Sequence, residues 1–159
     1  MCIRDRLNTS LNNLKDQIHI YKNFLVYLDD GNIIHTYNIN KDKFLLVDFR
    51  INNSSSAVFF NNSLISKNDD FLEFYNIKNG NLFSRINTNK ILNKNSKIIN
   101  AFIINQNMNL FTDDGKIIIL DQHFAILEII NLKIKNINKV YNYQNKIFIS
   151  TKKGITYIY

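Results

Sequence analysis

Residues Asn109–Asp121 read NLFTDDGKIIILD: an apolar strand, an acidic turn ending in Gly115, and an apolar return strand. D-D-G between two apolar runs marks a hairpin, because glycine supplies the left-handed backbone that tight turns require. Looser copies stand at Phe24–Asn38 (FLVYLDDGNIIHTYN), Leu64–Asn76 (LISKNDDFLEFYN) and Lys146–Tyr159 (KIFISTKKGITYIY). From Gly31 to Gly115 is two units, a mean of about 42 residues, and Gly115 to Gly154 is 39. A period near 40 with four short strands per unit is that of a β-propeller blade.

Working outward from these hairpins gives an all-β chain of about four blades, at 16–50, 57–87, 97–131 and 137–159. The last lacks its outer strand. Near-continuous apolar runs such as Ile117–Leu120 are expected where neighbouring blades cover both faces, so a propeller ranks above a two-sheet sandwich. Gly31 is expected to carry the positive φ of the first hairpin, while the turn Lys67–Asp70 has no glycine. Phe and Tyr recur on every strand and suit packing between blades better than an exposed stacking platform. The end blades are expected to expose apolar faces, making the isolated chain prone to association.

Composition supports a folded domain: 45% of the 159 residues are hydrophobic and 21% charged, with no Pro and only four Gly. Frequent Ile, Phe and Tyr favour pleated surfaces, and abundant Asn can replace Gly at corners. The net charge of +7 is scattered, with lysines such as Lys41, Lys67, Lys97, Lys135 and Lys139 lying apart. Such lysines read as solvated turns and strand edges, and a nucleic-acid footprint would be clustered. No apolar run is long enough for a membrane helix. Residues 1–6, MCIRDR, resemble the translation of a sequencing adapter and are set aside, leaving 7–159 as the partial propeller domain. On that reading the natural N-terminus is missing, and Cys2 carries no lipid-anchor argument. The only cysteine is then discounted, which suits an exported protein and many cytosolic ones alike.

Candidate chemistry is thin. The pairs Asp29-Asp30, Asp69-Asp70 and Asp113-Asp114 could suggest calcium or acid–base work. Calcium loops need more oxygen ligands at fixed spacing, so turn capping is the better reading. His19 and His35 fall on different strands of one unit and His123 in a turn of another, without metal-ligand spacing. No nucleophile elbow or phosphate-binding glycine loop occurs, and Ser54-Ser55-Ser56 reads as a corner. Catalytic, cofactor-binding and metal residues are therefore assigned to none, and binding residues are left open.

The order of inner strand, D-D-G turn and I-I-x-L-D strand resembles the quinoprotein-type (PQQ-like) β-propeller repeat. The match is carried by Met108–Asp121, Phe24–Asn38 and the l-x-x-y-n half in Phe71–Gly80. Within that class the chain is similar to the BamB family of outer-membrane assembly lipoproteins. The resemblance implies a non-enzymatic, eight-bladed, periplasmic scaffold without cofactor. Its implied protein partner is the outer-membrane barrel assembly machinery. It implies no nucleic-acid partner, and membrane association only through an N-terminal lipid anchor. The chain would then be a piece cut at both ends. The repeat's usual docking Trp is absent, with Phe83 and Leu127 at corresponding places. A degenerate quinoprotein dehydrogenase and a glycan-binding propeller remain alternatives.

Overall fold

The computed structural model describes residues 18–51, 56–144, 146–154 and 156–158. The adapter-like start, the polar stretch Leu7–Lys15 and most of the corner Asn52–Ser56 lie outside the described residues. Four antiparallel meanders follow one another along the chain. The first holds β1 (His19–Tyr21), β2 (Phe24–Leu28), β3 (Ile33–Asn38) and β4 (Lys43–Arg50). The second holds β5 (Ser56–Phe60), β6 (Ser63–Lys67), β7 (Phe71–Asn76) and β8 (Leu82–Asn87). The third holds β9 (Ile98–Ile104), β10 (Asn107–Thr112), β11 (Lys116–Leu120) and β12 (Ile126–Asn131). The fourth holds β13 (Ile137–Tyr143), β14 (Lys146–Thr151) and β15 (Thr156–Ile158). Each strand pairs with the next in its own sheet. This is a partial β-propeller.

The sheets pack face to face through apolar clusters. Phe24, Val26, Leu28 and Ile34 of the first meet Leu64, Tyr75 and Ile77 of the second. Ile65, Leu72 and Phe74 of the second meet Met108, Leu110, Ile118 and Leu120 of the third. Phe111 and Ile117 of the third meet Val140 and Ile149 of the fourth. A buried bond from Thr36 Oγ1 to the Ile77 carbonyl (2.6 Å) ties the first junction. Continuous burial falls on the middle strands: every residue of β2 is buried, as are most of β6, β7 and β10. First and fourth strands are half open, most clearly β8 and β12. The doubly covered runs expected for inner strands thus belong to the centre of each blade, where both neighbours reach.

The turns between second and third strands fasten one sheet to the next. Their outward carbonyls hold the linker that leaves the same blade: Asn32 O accepts from Ile51 N, Asp70 O from Thr88 N, and Gly115 O from Leu132 N, at 2.7–2.9 Å. Asp113 also exchanges bonds with Lys97 and accepts from Ile137 N, so this corner grips both ends of its blade. A side-chain oxygen at the first turn position closes the loop in three copies. Asp29 accepts from Ile33 N, Asn68 from Phe71 N and Thr112 from Lys116 N, at 2.8–3.0 Å.

Backbone angles correct the expectation for Gly31. The left-handed residue of the first turn is Asn32 (φ 60°), whose counterparts are Gly115 (φ 90°) and Gly154 (φ 78°). Asn tolerates this region because its short side chain bonds locally. Among these turns glycine is enforced at Gly115, where an added Cβ would stand 1.8 Å from the Ile134 carbonyl oxygen; Gly80 (φ 72°), in the turn between β7 and β8, is likewise confined, by the Phe49 ring at 2.7 Å.

The end sheets differ from one another. Phe148 pairs with Tyr141 and Ile158, the register that places Val26 with His19 and Thr36, and Ile65 with Val58 and Phe74. Val26 and Ile65 are fully buried by the following sheet, whereas Tyr141, Tyr143 and Ile158 are exposed. On the first sheet's opposite face, Leu25, Tyr27 and Tyr37 are buried with Ile39 and Phe44 beside them. The expected bare end face is therefore found on the fourth sheet and not on the first. Ile20 of β1 and Ile18 just before it are exposed.

Two predictions follow from this packing. In urea denaturation, Gly115→Ala costs on the order of 3 kcal/mol, combining left-handed strain with backbone overlap. Gly154→Ala, with open space around it, costs about 1–2 kcal/mol from strain alone. Gly31→Ala costs less than either, and an equal loss at all three would refute the assignment. In sedimentation velocity the isolated chain associates increasingly with concentration, and Tyr143→Ser with Ile158→Ser reduces this. A wild-type chain that stays monomeric throughout would contradict the open apolar face.

Candidate functional site

The first strands of all four sheets, β1, β5, β9 and β13, line one concave groove of about 510 Å³. Side chains stitch these strands edge to edge. His19 Nε2 donates to the Asn61 carbonyl (3.2 Å), and its ring stacks on Phe59. Ser56 Oγ accepts from Ile98 N (2.8 Å), joining the second sheet to the third. Asn100 Nδ2 donates to the Val140 carbonyl (3.1 Å), joining the third to the fourth. Val58, Ile98, Ile99 and Val140 supply apolar lining, and Lys97, Lys139, Asn100, Asn138 and His19 supply polar lining. Among the described residues no carboxylate belongs to the groove wall.

The acidic pairs sit at the corners of the sheets, engaged in structure. Asp29 accepts from the Ile33 amide and pairs with His35 at 3.0 Å, and Tyr27 stacks on that imidazole at 4.7 Å. Burial pushes the Asp29 carboxyl up, but the bonds from His35 and Ile33 outweigh it and hold the group below its ordinary value. Asp114 accepts from Thr112 Oγ1, Ser96 Oγ and Asn93 Nδ2, and Asp113 from the Lys97 amide. Asp69 and Asp70 contribute backbone carbonyls to Lys67 and Thr88. The histidines are kept apart: His19 in the groove, His35 at the first corner, His123 in the turn closed by Asp121. Among the described residues no three metal-binding side chains converge.

Lys67 is the residue that composition misplaced. It has no exposed surface, and its ammonium donates to the carbonyls of Asn68, Asp69 and Lys94. Burial lowers its pKa, opposed by the charges of Asp69, Asp70, Asp114 and Asp113. The strand-end lysine expected to face solvent is a clamp between the second corner and the linker to the third blade. Only a three-dimensional crossing of that linker could reveal it.

The aromatics are mostly junction material, as with Phe49 against Tyr75 (5.3 Å) and Phe74 against Phe124 (4.7 Å). At the places of the repeat's docking Trp, Phe83 is half exposed and packs its edge on Phe124, while Leu127 is exposed. A second buried polar network joins Tyr75 to Glu73 (2.7 Å) and Glu73 to Arg85 (3.1 Å). Arg85 covers the Phe71 ring at 3.7 Å. Burial and the Glu73 carboxylate push the Tyr75 phenol up, so it stays a neutral donor.

Solved structures share this architecture. BamB from Moraxella catarrhalis superposes with a TM-score of 0.68 at 13% identity, over 91% of this chain and 42% of that one. The WD40 domain of SCAP from fission yeast gives 0.65 at 15% identity, over 92% and 42%. BBS1N, solved in complex with ARL6DN, gives 0.66 at 13% identity, over 91% and 50%. The chain therefore spans half or less of the length of these propellers. No family model matches the chain, and no curated protein matches it. At such identities the likeness defines the fold, a β-propeller, and leaves the BamB resemblance as one among several.

The Asp29–His35 pair gives a pH-dependent prediction. A lowered folded pKa means the carboxylate stabilises the fold above its unfolded value, near 4, and this is lost as pH falls through the folded pKa. Asp29→Asn keeps an oxygen for the Ile33 amide and removes the charge. Urea denaturation should show wild type more stable than the variant at pH 7 and the gap closing as pH falls below the ordinary carboxylate range. A gap independent of pH would remove the charge from the argument.

Proposed function

We propose that this chain is part of a non-enzymatic, protein-binding propeller. The supporting observation is where the polar side chains are spent. The carboxylates, His35 and Lys67 fasten corners and linkers, while the first-strand groove and the fourth sheet's aromatic face are left as open surface. Rigid blades presenting such surfaces suit a partner chain better than a small reacting group. BBS1N was solved in a complex with another protein, and a likeness to it is consistent with this reading.

The finer reading is that the partner is the outer-membrane barrel assembly machinery and that the protein assists insertion of β-barrel proteins from the periplasmic side. It is supported by the PQQ-like repeat pattern in Met108–Asp121 and by the likeness to BamB. Affinity purification of the tagged protein that carries this chain, from envelope extracts, should bring down the assembly barrel in near-stoichiometric amount. Reproducible absence of the barrel, with the tagged protein folded and abundant, would rule this partner out.

A further inference from the structure

We propose that the first-strand groove is the docking site for an extended acidic peptide segment of a partner protein; the proposal rests on the protein-binding reading and names its surface. Charge sets the kind of partner. Lys97 and Lys139 are exposed in the wall, with His19 on the first blade and no Asp or Glu among the described lining residues. Neither ammonium takes part in an ion pair among the described residues. The nearest corner carboxylate in sequence pairing, Asp113, bonds the Lys97 backbone amide, and Asp114 is taken up by Thr112, Ser96 and Asn93. Cations in a concave, partly apolar wall focus their field and attract anionic segments.

Shape and polarity narrow the ligand further. The volume of about 510 Å³ suits several residues of an extended chain. Val58 and Ile99, both part-exposed, stand beside the polar groups, so a segment mixing carboxylates with aliphatic side chains matches the wall. All four lining strands are edge strands of their sheets; apart from the Ile98 and Ala101 amides and the Val140 carbonyl, which Ser56 and Asn100 take up, such edges offer N–H and C=O groups to an added extended chain. Tyr141 stands at the fourth-sheet side of the groove and also on its open face, so a bound segment can run from one surface onto the other. A nucleic acid fits less well, because two lysines separated by aliphatic side chains do not track a phosphate backbone.

The test uses the full chain and a fluorescent peptide of alternating Glu and Leu, followed by anisotropy. Binding should saturate, weaken with added salt, and drop by about tenfold or more in Lys97→Glu with Lys139→Glu. Lys97→Gln with Lys139→Gln should give a smaller loss in the same direction. Lys90→Glu, outside the groove, should leave affinity unchanged, and a Lys–Leu peptide should not bind. Equal loss in Lys90→Glu would overturn the proposal in favour of a general charge effect. Tighter binding of a single-stranded oligothymidylate, lost in the same variants, would overturn it in favour of a nucleic-acid surface. If the protein partner is still captured while the peptide does not bind, the groove assignment alone fails. If no protein partner is captured by the wild-type protein, the reading beneath it fails as well.

Discussion

The turn between the second and third strands is the element on which the rest depends. A hairpin corner leaves carbonyls pointing out of its sheet, and buried or half-buried carbonyls need donors. Here the donors are the amides of the linkers, Ile51, Thr88 and Leu132. Satisfying the corner therefore fixes where the chain departs for the next blade. At Gly115 the approach is so close that the Ile134 backbone occupies the space of a side chain. A local turn requirement is thereby converted into an inter-sheet register.

The apolar faces build on that register. Among the described residues the apolar clusters join each sheet to its neighbours in sequence, so stability is a sum of sheets and junctions, as in other repeat architectures. Fully buried Leu28, Ile65, Phe74 and Phe111 each supply junction contacts, and deleting a ring at such a place costs roughly 3–5 kcal/mol. The same logic explains the fourth sheet. Phe148, Tyr141 and Ile158 stand in the register of a junction, with no sheet on that side among the described residues.

Polar groups are divided between two roles. Those at the corners are consumed by structure, which is why paired aspartates, suggestive in a linear string, hold turns closed. Those along the first strands either stitch neighbouring edges, as Ser56 and Asn100 do, or face the groove, as Lys97 and Lys139 do. The two lysines are 42 residues apart, about one repeat. Folding the sequence on its own period was the one signal that could have placed them on a common surface.

The repeat length, the strand order and the acidic corners were legible in sequence, because they rest on local rules: alternating apolar runs, turn chemistry and a fixed period. Asn109–Asp121 alone carries all three. Other features needed the tertiary structure. Asn32 rather than Gly31 takes the left-handed position because D-D-G enters the first turn one position earlier than it enters the Thr112–Lys116 turn of equal span. Lys67 is buried because a linker from Lys94 passes over it. The first sheet's outer face is covered while the fourth's is not. In each case the deciding contact comes from a residue distant in sequence or from the exact phase of a turn, and composition and periodicity contain neither.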